Sequence, residues 1–250
     1  MKIPWLLPGE PFPPSHSAWS ATDPAPGLLA AGGALDVDTL HAAYSSAIFP
    51  WFSDDQPILW WSPDPRMTLS PGSFRLHRSL RKTLQKFSRD SNFEIRIDHD
   101  FEQVVKACAS SSRDGQSGTW IVSQMVDAYC EFNRSGFAHS VETWMDGELV
   151  GGLYCVGIGR AVFGESMFAR RSDASKIALA ALVCFCLRNG IGLIDCQQNT
   201  RHLASLGAVE MPRSRFAAHV AKARSEPAPV WHFEPVYWNE LLPERHSQTT

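Results

Sequence analysis

Between His139 and Gln197 the chain runs through a strand hairpin, another strand, a strongly apolar helix and a further strand, and that order limits its fold more than any other feature. His139 to Met145 and Glu148 to Gly157 flank Asp146-Gly147, the turn chemistry of a two-residue hairpin. Ala161 to Phe168 follows as a strand. Asp173 to Arg188 is apolar on nearly every side, with Asp173 expected as its N-cap and Asn189-Gly190 as its stop. Gly192 to Gln197 then returns to strand character. A meander, a buried helix and a further strand define a mixed α/β (α+β) sheet.

That last strand ends on an acid and an amide two residues apart, in Leu193-Ile194-Asp195-Cys196-Gln197, with His202-Leu203-Ala204-Ser205-Leu206-Gly207-Ala208 close behind. Side chains two apart on a strand share a face, so Asp195 and Gln197 are expected to project together into a cleft at the strand's end. A carboxylate beside an amide holds it in one orientation, and a fixed amide can hydrogen-bond an amine or an ester. The same spacing also fits a helix-capping Asp195 and a solvated Gln197, and spacing alone does not separate the two readings. A short helix at His202 to Leu206, a strand at Val209 to Pro212 and a helix from Ser214 to Lys222 complete this part, with an extended tail after Ser225.

Upstream, residues 1 to about 35 are rich in Pro and Gly and read as an irregular layer. Asp36 caps an expected helix over Val37 to Ile48 that Pro50 stops, and Trp51 to Pro65 reads as short strands and turns. The division expected is a small N-terminal module over 1–70, a main domain over 71–243 and a disordered tail over 244–250. In the main domain, Phe74 to Arg89 sets Leu76, Leu80, Leu84 and Phe87 on one helical face and basic residues on another. Helices are also expected over Asp100 to Ser110 and from Ser123, as cap, to Gly136.

The net charge of −3 excludes a wholesale nucleic-acid coat, so any such contact must be a local patch. Arg75, Arg78, Arg81, Lys82 and Lys86, without interleaved acids, are the candidates for phosphate contact, although a basic helical face is ordinarily just solvated. The six cysteines contain no C-x-x-C pair, and Cys184 and Cys186 face different ways on a helix, so buried thiols in a reducing cytosol are expected. No apolar run reaches membrane-spanning length and Pro4, Pro8 and Pro11 break the N-terminus, which makes a soluble, cytoplasmic protein the expectation. G-x-S-x-G, H-E-x-x-H and P-loop patterns are missing. Glu165 sits among small and apolar residues, where a charge needs a partner: an ion pair with Arg160 or Lys176, or a cationic ligand.

Several segments, in order, carry a resemblance: Gly27-Leu28-Leu29-Ala30 with Gly32-Gly33; Ile48-Phe49-Pro50-Trp51-Phe52; Ile58-Leu59-Trp60-Trp61-Ser62-Pro63-Asp64-Pro65-Arg66; Gly118-Thr119-Trp120-Ile121; Leu149-Val150-Gly151-Gly152-Leu153-Tyr154; Gly164-Glu165-Ser166-Met167-Phe168; Ala174-Ser175-Lys176; and the Asp195 segment. Together they resemble the bacterial leucyl/phenylalanyl-tRNA–protein transferases. The resemblance implies an acetyltransferase-like (GNAT-like) sheet domain and an aminoacyltransferase. Its substrates are aminoacyl-tRNA and proteins with N-terminal Lys or Arg, which it directs into N-degron degradation. It also implies that Asp195, Gln197 and Glu165 are catalytic and that Trp51 and Trp120 wall the 3′-terminal adenosine. Met167, Leu179, Leu182, Cys186 and Ile194 are implied as the pocket for the transferred side chain, although the Leu179, Leu182, Cys186 spacing is equally that of a core stripe. Leu182 and Cys186 are smaller than the bulky aromatics of the best-known members. The turn Arg170-Arg171-Ser172-Asp173-Ala174-Ser175-Lys176 has no glycine and an acid at the expected cap, so no coenzyme A is expected, and no metal. Alternatives are an aminoacyl-tRNA-dependent ligase with another acceptor, such as a cell-wall peptide, and a non-catalytic tRNA-binding module.

Overall fold

The computed structural model describes residues 2–111 and 122–243. A small sheet is formed by β1 (Trp5–Leu6), β2 (Leu28–Gly32), β3 (Phe49–Pro50) and β4 (Leu59–Trp61), with helix α1 (Val37–Ser45) between its second and third strands. Its order is β1-β2-β4-β3, so the Pro- and Gly-rich start contributes two strands where an irregular layer is expected. Asp36 does cap α1, accepting from the Thr39 amide at 2.8 Å. The helix ends at Ser45, short of the expected Ile48, because Ala47 turns left-handed at φ 63°.

The rest of the chain is β5 (Arg66–Leu69), α2 (Arg78–Phe87), β6 (Phe93–Ile97), α3 (Phe101–Ser110), α4 (Ser123–Arg134), β7 (Ala138–Met145), β8 (Glu148–Ile158), β9 (Ala161–Ala169), α5 (Ala174–Arg188), β10 (Ile194–Gln197), α6 (Arg201–Ser205), β11 (Val209–Met211) and α7 (Arg213–Ala223). Its strands form one seven-stranded sheet in the order β11-β5-β10-β9-β8-β7-β6. From β6 to β9 every neighbour is antiparallel. The α5 crossover makes β10 parallel to β9, and β5 and β11 add antiparallel beyond it. Meander, buried helix and parallel strand thus stand in the order expected from the sequence, in a mixed α/β sheet.

The step between sheets falls between Trp61 and Arg66, because β5 pairs with β10 and β11 on either side. Two expectations change. Helix α2 starts at Arg78 rather than Phe74, leaving Arg75 in a non-helical lead-in whose amide bonds the Leu206 carbonyl. Ser123 is the first residue of α4 rather than its cap.

Two apolar layers sandwich the large sheet. One contains α1, α3, α4, α7 and the inner face of the small sheet, so the N-terminal part and one face of the large sheet share a single core. The other contains α2 and α5. The N-terminal end of α5 lies directly on β8 at Gly151, where a Cβ would stand 2.5 Å from that of Ala174. Asp173 adopts φ 63° and gives its carboxylate to Lys176 at 2.7 Å, so it occupies the cap position without capping. The segment after Ser225, expected to be extended, packs onto the large sheet and α5, and the tail over 244–250, expected to be disordered, lies outside the described residues. Trp231 stacks between His139 and Phe185, and a 3-10 turn at Pro235–Glu240 buries Trp238 against α5.

Candidate active site

Parallel pairing of β9 and β10 sets Asp195 beside Phe163, and just beyond the paired residues the Gln197 side chain meets that of Glu165. The strands lie close at Gly164, where a Cβ would be 3.1 Å from the Asp195 carbonyl oxygen. Gln197 Nε2 donates to Glu165 Oε1 at 2.9 Å. The amide's orientation is thereby fixed, and its Oε1 is the end left to accept. Asp195 orients Gln197 by another route than expected. Gln197 adopts φ 59° at a register shift against β5, and its backbone N–H, not its side chain, donates to Asp195 Oδ1 at 2.8 Å. The even-spacing rule fails here because the strand stops being regular between the two residues.

Asp195 is fully engaged elsewhere. The Arg66 guanidinium, from β5, donates through Nε to Oδ1 at 2.8 Å and through Nη2 to Oδ2 at 2.5 Å, with both side chains 1% exposed. That buried fork balances the charge of Asp195.

Glu165 is the opposite case. Neither expected cation reaches it, since Arg160 pairs with Glu226 and Lys176 with Asp173. Its partners are neutral: Tyr44 OH of α1 at 2.7 Å and Tyr129 OH of α4 at 3.2 Å, besides Gln197. Burial outweighs these bonds and pushes its carboxyl up to about 7, with Asp195 adding to the rise. The two phenols also touch each other at 2.5 Å, and burial beside Glu165 drives both well above the ordinary tyrosine range. Two phenolic protons serve three oxygen–oxygen pairs, so the cluster has a place for a third proton.

The sequence reading missed Tyr44 and Tyr129, and took Arg66 only as part of a motif. Their signal was modest: a phenol on the buried face of an amphipathic helix needs a polar partner, and the chain has only four tyrosines.

Met167, Leu179, Leu182, Cys186 and Ile194 lie in or against one apolar layer. The last four are buried in one cluster with α5, and half-buried Met167 packs against it. Trp51 is half-buried, its ring 5.4 Å from Trp61 and its carbonyl accepting from Trp61 Nε1. Trp120 and the rest of Gly118-Thr119-Trp120-Ile121 lie outside the described residues. Arg75, Arg78, Arg81, Lys82 and Lys86 are all exposed, with Arg81 donating to the Leu241 carbonyl. A cavity of about 700 Å³ along β6 involves none of these groups.

A family model described as leucyl/phenylalanyl-tRNA protein transferase matches residues 68–221, and the model for the N-terminal domain of that family matches 33–64. The leucyl/phenylalanyl-tRNA–protein transferase of Polaromonas sp. strain JS666 is 63% identical over 96% of this chain and 94% of that protein. The one from Albidiferax ferrireducens is 60% identical over the same shares. Among solved structures, a GCN5-related N-acetyltransferase from Kribbella flavida aligns with 69% of this chain and 59% of its own at 13% identity and TM-score 0.34, too low to carry weight. Both domain matches and the near-full-length identities lead to one conclusion: this chain belongs to the leucyl/phenylalanyl-tRNA–protein transferase family of aminoacyltransferases.

Proposed function

We propose that this enzyme carries Leu or Phe, with Met as a further donor, from aminoacyl-tRNA to the α-amine of proteins that begin with Lys or Arg. It acts in the cytoplasm, where charged tRNA is made, and marks its acceptors for the N-degron pathway. In the transfer the amine nitrogen attacks the ester carbonyl carbon, a C–N bond forms and the C–O bond to the ribose breaks. The amine's proton ends on the departing ribose oxygen. Gln197 Oε1, held outward by the bond from Nε2 to Glu165, accepts an N–H of the amine and aims its lone pair. The ester is already activated, so orientation supplies much of the rate, up to ~7–11 kcal/mol in favourable cases.

One observation carries the acceptor assignment. Of the two buried acids at the candidate site, Asp195 is neutralised by Arg66, whereas Glu165 has no cationic partner among the described residues. A buried carboxylate without a counter-charge favours an incoming cation, whose arrival expels the cluster's extra proton. The donor side chain is assigned to Met167, Leu179, Leu182, Cys186 and Ile194, entered past flexible Met167. Trp51 and Trp120 are assigned to the terminal adenosine, and the exposed basic residues of 75–86 to the tRNA phosphates. Coenzyme A has no place in this reading, because the Asp173 carboxylate stands at the α5 terminus where a pyrophosphate would bind.

The test is transfer of labelled Leu from charged tRNA to an Arg-starting peptide, beside a citrulline-starting peptide that differs little except in charge. Labelling of the first well above the second is expected. No transfer from Leu-tRNA would overturn the reading, and equal use of both peptides would overturn the acceptor assignment alone.

A further inference from the structure

Among the described residues, Arg66 is the one fully buried cation that touches the candidate active site, and nothing about aminoacyl transfer itself calls for it. Its surroundings are built from separated stretches of chain. The guanidinium lies between two aromatic faces, 4.6 Å from the Phe49 ring centroid and 4.7 Å from that of Phe216. Nη1 reaches the Ala47 carbonyl at 3.4 Å, and Ser62 Oγ bonds the same carbonyl at 3.1 Å. Arg213 of α7 ties the segment ahead of Arg66 down by donating to the Ser62 carbonyl at 2.6 Å and, through its backbone N–H, to Asp64 at 3.0 Å. Rings, carbonyl and carboxylate leave the guanidinium one orientation, and the flat fork fixes the plane of the Asp195 carboxylate in turn.

That plane is what Gln197 depends on. Its left-handed backbone is a conformation that non-glycine residues adopt at a cost, sustained only where the surroundings over-determine it. The bond from the Gln197 amide to Asp195 Oδ1 is such a constraint, and Oδ1 is also the oxygen that Arg66 Nε holds. We infer that Arg66 is a positioning residue for transfer: through Asp195 it locks the Gln197 backbone in the left-handed conformation that carries the side-chain amide to the attacking amine. Phe49 and Phe216 keep the guanidinium in plane. The Trp60-Trp61-Ser62-Pro63-Asp64-Pro65-Arg66 run therefore acts at a distance, as the mount of a clamp whose jaw is the Asp195 carboxylate.

This inference rests on the proposed role of Gln197, so its test includes a reading that does not depend on activity. Arg66→Lys keeps the charge and one bond but loses the fork. Its kcat for Leu transfer to an Arg-starting peptide should fall roughly 10- to 100-fold, as for a reacting group held slightly out of place, with KM for donor and acceptor unchanged. Hydrogen exchange should accelerate over residues 195–198 and stay at the wild-type rate in β7 to β9. Should Arg66→Lys not fold, Arg66→Met combined with Asp195→Asn leaves no buried charge unpaired and should give the same pattern. Wild-type kcat together with wild-type exchange over residues 195–198, a loss appearing in KM, or protection lost across the whole sheet would each overturn the clamp. Local exchange acceleration with transfer unaffected would instead retire the role of Gln197 and leave the clamp's geometry standing.

Discussion

The side-chain amide of Gln197 donates from Nε2 to Glu165 Oε1 at 2.9 Å, so one residue of β10 and one of β9 between them decide which end of the amide faces the cleft. Swapping the amide for a carboxylate replaces the donor by an acceptor that Glu165 repels.

Gln197→Ala should fold as the wild type does, because the side chain is half-buried and fills no core, while kcat for Leu transfer drops on the order of 100-fold. Gln197→Glu should lose as much despite its near-identical shape. Thermal unfolding with single-turnover transfer checks both, and near-normal turnover by a folded Gln197→Ala protein would remove Gln197 from the mechanism.

Asp195 behaves differently from a residue at a solvated strand end. Its pair with Arg66 is buried, so Asp195→Ala leaves an uncompensated guanidinium and should cost about 3–5 kcal/mol of stability. Arg66→Met with Asp195→Asn should recover most of that loss, since neither charge remains. Denaturant midpoints of the three proteins decide it, and an Asp195→Ala protein as stable as wild type would contradict the buried pair.

Glu165 ties stability to pH. Its folded pKa of about 7 lies above the ordinary 4.5, so from about 4.5 to about 7 the folded state holds a proton that the unfolded state has released. Its contribution is fully present below the lower value, falls as pH rises through the interval, and is level above it. The change is on the order of 3 kcal/mol at most. Glu165→Gln has nothing to titrate, so wild-type stability relative to this variant should decline across that interval. A difference independent of pH would refute the shifted carboxyl.

The basic face of α2 should matter only for whole tRNA. Arg78 and Lys82 are exposed, so reversing both to Glu leaves the fold alone and weakens aminoacyl-tRNA binding. The salt dependence of that binding should flatten, its slope falling by about one for each phosphate no longer held. A short aminoacyl-adenosine donor should be used at the wild-type rate. Equal losses on both donors would make the face structural.

Local pattern alone determined the meander, the apolar α5 and the strand ending in Asp195 and Gln197, because periodicity, the Asp146-Gly147 turn and the Asn189-Gly190 stop are written in neighbouring residues. Strands β1, β2, β5 and β6 were not legible: they are short, or their pairing partners lie far away in sequence, and no neighbour-based signal encodes such pairing. The site divides in the same way. Residue types and spacing marked Glu165, Asp195 and Gln197, but their ties belong to tertiary structure. Parallel pairing of β9 and β10 joined Gln197 to Glu165, a left-handed residue turned the expected amide–carboxylate bond into a backbone one, and the separation of 129 positions between Arg66 and Asp195 hid their ion pair. Which acid gains a buried counter-charge and which meets only neutral partners depends on what packs around them, and only the folded chain decides that.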